Sequence, residues 1–274
     1  MAQASFRDAM ARGRGAASAV VVRPGPFAGR VAGQAWPDIA GDPALQVPAL
    51  GKVTALLGGD ALVIDIDPAA APGVVEAAVE TANRLSGEGA TPFARVVTIT
   101  GLLAGHAGGA GDTPGEAERE RMTALVEQVC KARPDLVLLL EGAALGTASV
   151  SIALRKLYNT LRNVAGYFNV PLGVMLSGYP AEAAAEFAKL KLDAYVLGAD
   201  AAGNPPTPDA LAALATEAAV GLALPFDRPD VARAWVAGLA DCQPLLLLND
   251  DLLAADSSVE DLRALVSDLK QPKA

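Results

Sequence analysis

Short apolar runs of five to seven residues recur along the chain, separated by longer stretches with helical spacing. Those at 19–23, 61–67, 95–100, 135–141, 172–177, 194–200, 220–226 and 245–249 are rich in Val, Leu and Ile and read as strands. Helical patterns fill 48–57, 73–85, 116–133, 181–191, 208–218, 229–239 and 258–270, and one more runs from a cap at Thr147 or Ser149 to about Phe168. Residues 27–47, broken by Gly and Pro, read as a long loop containing Trp36, and 101–115 as a glycine-rich loop containing His106.

Strands that alternate with helices are parallel, joined by crossovers and covered on both faces, which explains their nearly unbroken aliphatic composition. Eight such units predict a closed (β/α)8 barrel of the TIM type, a single α/β domain over 19–270 with an N-terminal extension (1–18) and a short C-terminal tail (271–274). Similarities four units apart support closure. The second strand resembles the sixth, each opening on an Asp-Ala step, and 134–141 resembles 243–249. The competing arrangement is an open doubly wound sheet, but no Gly-x-Gly-x-x-Gly turn follows any strand.

In such a barrel the reacting groups stand at the C-terminal ends of the strands. The second strand places Asp65 and Asp67 two residues apart, hence on one face, opposite Leu62, Ile64 and Ile66. Glu141 and Asp200 end the fourth and sixth. Hard divalent cations prefer carboxylate oxygen, so Asp65, Asp67, Glu141 and Asp200 are the expected ligands of a Mg²⁺ or Mn²⁺ ion. Without a metal, the same acids would cap helices, pair with bases, or act directly as acid and base. Asp67, Glu141 and His106 are the candidate catalytic residues. Arg23 is the natural anchor for a substrate carboxylate, its alternative being a salt bridge to Asp65 or Glu141, and Thr100, Ser177 and Asn249 complete the candidate substrate contacts. Trp36 is a candidate wall.

Absences narrow the chemistry. No lysine ends a strand, which disfavours a Schiff base. The loops after the seventh and eighth strands are acidic and lack glycine, unlike a phosphate cradle, so a non-phosphorylated substrate is expected. A formal net charge of −9 opposes a nucleic-acid partner. Cys130 and Cys242 lack metal-ligand spacing, and a single histidine cannot build a His-rich metal centre. No apolar run approaches the ~20 residues of a membrane span, and residues 1–18 lack a signal-peptide core, so the expected location is cytoplasmic.

The segment 172–180, Leu-Gly-Val-Met-Leu-Ser-Gly-Tyr-Pro, with Glu182 and then 190–194 beyond it, resembles the fifth-to-sixth strand region of methylenetetrahydrofolate reductases. That family consists of flavin-dependent (β/α)8 barrels, and the resemblance implies a flavin (FAD or FMN) or pterin. It has a glutamate at the end of its first strand, where this chain has Arg23, and an Arg-Gly-Asp turn after its fourth, where this chain has Glu141-Gly142-Ala143. Three readings follow. One is a metal-assisted lyase acting on a small carboxylate-bearing molecule, another a flavin- or pterin-using barrel. The third is a non-catalytic barrel serving as a binding or assembly subunit; the expected protein partners in any case are a homo-oligomer or a larger protein complex.

Overall fold

The computed structural model describes residues 2–11, 18–86, 91–103, 114–142, 150–216, 218–242 and 245–271. Its eight strands are β1 (Ala19–Val21), β2 (Ala61–Ile66), β3 (Ala94–Thr100), β4 (Leu136–Glu141), β5 (Leu172–Leu176), β6 (Ala194–Leu197), β7 (Ala219–Leu224) and β8 (Leu246–Asn249). Each pairs in parallel with the next, and β8 pairs with β1, closing the barrel.

Strand alternation divides the core into two regions. Leu62, Ile64, Ile66, Val137, Leu139 and Val174 point outward to the helices, while Val21, Val63, Val96, Leu138, Met175 and Leu246 fill the barrel. The interior is a packed core. At Gly221 an added Cβ would lie 2.3 Å from the Leu246 carbonyl oxygen, so only glycine lets β7 approach β8 there.

The repeated strand-opening aspartates have a structural task. Asp60, before β2, accepts a hydrogen bond from Val20 N at 2.9 Å; Asp135, before β4, from Arg95 N at 2.9 Å; and Asp193, before β6, from Leu172 N at 3.1 Å. Each carboxylate satisfies a backbone donor at the start of the preceding strand. The Asp-Ala repeat seen in the sequence is therefore a fastening of the barrel's lower rim.

Below that rim the helix Ala2–Met10 packs across the ends of β1, β2, β3, β7 and β8. Phe6 and Ala9 are each only 1% exposed and belong to the interior core, so residues expected to be a mere extension close the bottom of the barrel.

Three local expectations change. Most of 27–47 is helical, as Pro26–Ala32, Trp36–Ala40 and the first turn of Pro43–Leu57. Its prolines stand in first turns, where a missing N–H costs nothing, and Asp42 caps the third helix through Ala44 N. The helix expected after 147–149 begins at Ile152 with Ser151 as its cap, and 181–190 is a 3₁₀ helix. Among the described residues no helix is long and apolar enough to cross a membrane.

Candidate functional site

The β1 ladder ends at Val21, and the chain is then held by Asn249 at the end of β8. The Asn249 side chain accepts from Arg23 N at 2.7 Å and donates to Arg23 O at 2.9 Å and to Asp251 O at 2.5 Å. Fully buried, with both its polar atoms engaged, Asn249 fixes the backbone where the sequence suggested a substrate contact.

Arg23, so anchored, is 6% exposed and aims its guanidinium across the mouth. Its Nε donates to Asp65 Oδ1 at 2.9 Å and its Nη1 to Asp250 O at 3.2 Å. Asp65 follows Ala61 and Val63 on the inner face of β2, and the same Oδ1 accepts the Thr98 hydroxyl from β3. The salt bridge weighed as the alternative role of Arg23 is thus present. It leaves Arg23 Nη2 and Asp65 Oδ2 without hydrogen bonds among the described residues.

These groups line a cavity of about 260 Å³ together with Trp36, Asp67 and Thr100. The charged and hydroxyl side chains of the cavity come from one arc of the rim, the segment after β1 and the ends of β2 and β3. Beyond it, Leu140 of β4 and Met175 of β5 supply apolar surface. On the β7–β8 side, partial burial, then the nearby charges of Asp227 and Asp251, push the Asp250 carboxyl above its ordinary value of 3.8 against the opposing effect of hydrogen bonds from backbone N–H groups.

Asp67 lies one residue past β2, is exposed, and accepts from Ala69 N at 2.9 Å through Oδ1. It shares the cavity with Asp65. Glu141 does not. Leu136, Leu138 and Leu140 point inward, so Glu141 falls on the outer face, where it accepts from the Tyr158 hydroxyl at 2.6 Å and from Leu103 N at 2.9 Å. Burial, reinforced by the charge and hydrogen bond of Glu141, raises the Tyr158 phenol well above its ordinary value. Gly101 makes the fit possible, since a Cβ there would lie 2.1 Å from the carboxyl carbon of Glu141. Tyr158 carried no signal in the sequence beyond its place on a helix.

Asp200 stands three residues past β6 and closes its own turn, accepting from Ala202 N and Asn204 N at 2.8 Å each. The hydrogen bonds from Asn204 are the main reason its pKa lies below the ordinary value. Ser177 follows β5, across the barrel from β1, and is not among the residues lining the cavity. His106 lies outside the described residues. Among the described residues no group of three or more His, Cys, Asp or Glu side chains is placed to hold a metal ion, so the four expected ligands do not form one set. Cys130 is buried in a helix, and burial pushes its thiol up to about 12.

Fold and rim define a TIM-type barrel with a polar C-terminal mouth. No protein-family model matches the sequence, and no curated protein is similar to it. Among solved structures the chain is similar to a methyltransferase from Methanosarcina mazei, with a TM-score of 0.67 over 98% of both chains at 14% identity. It is also similar to a candidate vitamin-B12-independent methionine synthase from Listeria monocytogenes, with a TM-score of 0.54 over 86% of this chain and 87% of that one, again at 14% identity. At such identity the likeness establishes the barrel alone.

Proposed function

We propose that the protein is an enzyme whose active site is the C-terminal mouth of the barrel and whose substrate is a small, non-phosphorylated molecule bearing a carboxylate. The observation that carries this reading is the Arg23–Asp65–Thr98 assembly. A buried ion pair is costly to desolvate and adds little stability that apolar packing could not supply. Here it sits where barrel enzymes do their chemistry, both residues line the cavity, and one guanidinium nitrogen and one carboxylate oxygen make no hydrogen bond among the described residues. Arg23 Nη2 would hold the substrate carboxylate, and Asp65 Oδ2 would exchange a proton with the carbon or oxygen beside it. The solved barrels titled as a methyltransferase and a candidate methionine synthase, matched over most of their length, raise the expectation of catalysis on this scaffold. Lyase chemistry assisted by Mg²⁺ or Mn²⁺ belongs to the same proposal. It would rest on Asp65 and Asp67 with water completing the shell, since Glu141 and Asp200 are engaged elsewhere.

The test is a ligand-observed NMR screen of hydroxy- and oxo-acids, with and without Mg²⁺ or Mn²⁺, on wild type, Arg23→Gln and Thr100→Val. We expect at least one acid to bind the wild type, with affinity reduced about tenfold or more in Arg23→Gln, the size of a lost charge-assisted contact, and by less in Thr100→Val. Acids that bind all three proteins equally, or none at all, would overturn the assignment.

A further inference from the structure

Asp67 and Thr100 face two cavities. Besides the mouth they line a compartment of about 360 Å³ outside the barrel, between the helices Pro72–Arg84 and Glu116–Lys131. Its walls include Val75, Leu102, Met122 and Leu125, all apolar. At its edge stand Arg121, exposed and without an ion pair among the described residues, and Glu118, whose carboxylate is engaged by Gly115 N at 2.9 Å at the start of its own helix. At the junction with the mouth, the Thr100 hydroxyl and Asp67 Oδ2 make no hydrogen bond among the described residues.

Other features of the fold carry less. A depression of about 380 Å³ beside Lys189 and Lys191 has one of its two cations already paired with Glu186. The one beside Arg7 and Arg133 at the bottom of the barrel is far from any reacting group. The compartment beside the mouth differs from both in combining an apolar wall, an unpaired cation and a shared boundary with the candidate active site.

We infer that this compartment is a second binding site, for an elongated molecule with an apolar or aromatic body and an anionic end. The body lies against Val75, Met122 and Leu125, where its surface leaves water. The anionic end meets Arg121, and the opposite end reaches the mouth past Thr100 and Asp67. The molecule is either the remote arm of the substrate or a co-substrate. Its role in the reaction rests on the reading of the mouth given above, whereas its binding does not.

Anilinonaphthalene sulfonate, an aromatic anion of this description, is the probe. Titrated into the full-length folded protein, it should show saturable fluorescence with one site per chain. Arg121→Glu should weaken binding about tenfold, a normal cost for reversing a charge opposite an anion. Val75→Trp, which fills the compartment, should abolish it, while Arg23→Gln should leave it unchanged because Arg23 does not line the compartment. Both compartment variants are checked for unchanged melting temperature, so that dye bound to loosened protein is not counted. Failure to bind, non-saturable binding, or binding indifferent to both compartment variants overturns the inference. Loss of hydroxy-acid binding in Arg23→Gln with probe binding intact would support the mouth independently.

Discussion

Glu141 and Tyr158 are joined by a 2.6 Å hydrogen bond with both side chains no more than 1% exposed, and the carboxylate also holds Leu103 N. The pair ties the end of β4 to the helix Ile152–Tyr167 and to the first turn after β3. That is the turn from which the glycine-rich segment with His106 departs.

Because the Glu141 carboxylate occupies the space where a Cβ of residue 101 would stand, the two positions are coupled. Glu141→Gln should cost about 1–3 kcal/mol, the price of weakening a buried, doubly used acceptor. Gly101→Ala should destabilise by a similar amount through overlap. Glu141→Ala removes the obstacle, so the Gly101→Ala/Glu141→Ala double variant should be more stable than the sum of the two single losses predicts, by about 1 kcal/mol or more. Urea denaturation of the four proteins measures the cycle, and strict additivity would show that the two positions do not share that space.

Asp250 sets a pH dependence whose sign is fixed by its raised pKa. A carboxyl that holds its proton more tightly when folded contributes stability below its unfolded value, and that contribution is lost as pH rises through its folded value. Asp250→Asn keeps the acceptor used by Asp251 N and removes the charge facing Asp227 and Asp251. The melting temperature of the variant relative to wild type should therefore rise with pH from the ordinary carboxylate range upward and then level off. Thermal melts from pH 3 to 8 decide it, the window being chosen to bracket carboxylate titration. A difference that is constant with pH would mean that Asp250 is not held in its raised state by those neighbours.

The order of strands and helices was legible because burial on both faces leaves an aliphatic run at every strand, and alternation correctly set Asp65 on the face opposite Leu62, Ile64 and Ile66. Alternation gives faces only when the phase is known. In β4 the run of leucines between Asp135 and Glu141 offers no polar residue to set it, and Glu141 falls outward. Asp200 and Asn249 were harder to read for a different reason. Both sit at strand ends as a catalytic residue would, but the partners that occupy them, Asn204 for one and the Arg23 and Asp251 backbone for the other, come from turn geometry and barrel closure. The prolines at 26, 37 and 43 looked like loop punctuation yet stand at helix starts, two roles that share one residue preference. Arg23 was readable as the rim cation, and its partner Asp65 was among the two weighed for it.

Phe6 tests whether the N-terminal helix is part of the fold or an appendage. Its ring is buried in the barrel core with Ala9, beneath Ala19, Ala61 and Ala94 at the small-residue bottom of β1, β2 and β3. Those alanines leave an open floor that β-strand side chains do not fill, and the helix supplies the missing volume. Phe6→Ala should then cost about 3–5 kcal/mol, as removal of a buried aromatic ring does in a core that cannot collapse. Arg7→Ala, one residue along the same helix but on its exposed side, should change stability by less than about 0.5 kcal/mol. Denaturant titration of the two variants, with amide hydrogen exchange on β1 and β8, separates the cases. A small loss for Phe6→Ala with unchanged protection in both strands would show that the barrel holds its lower end without the helix.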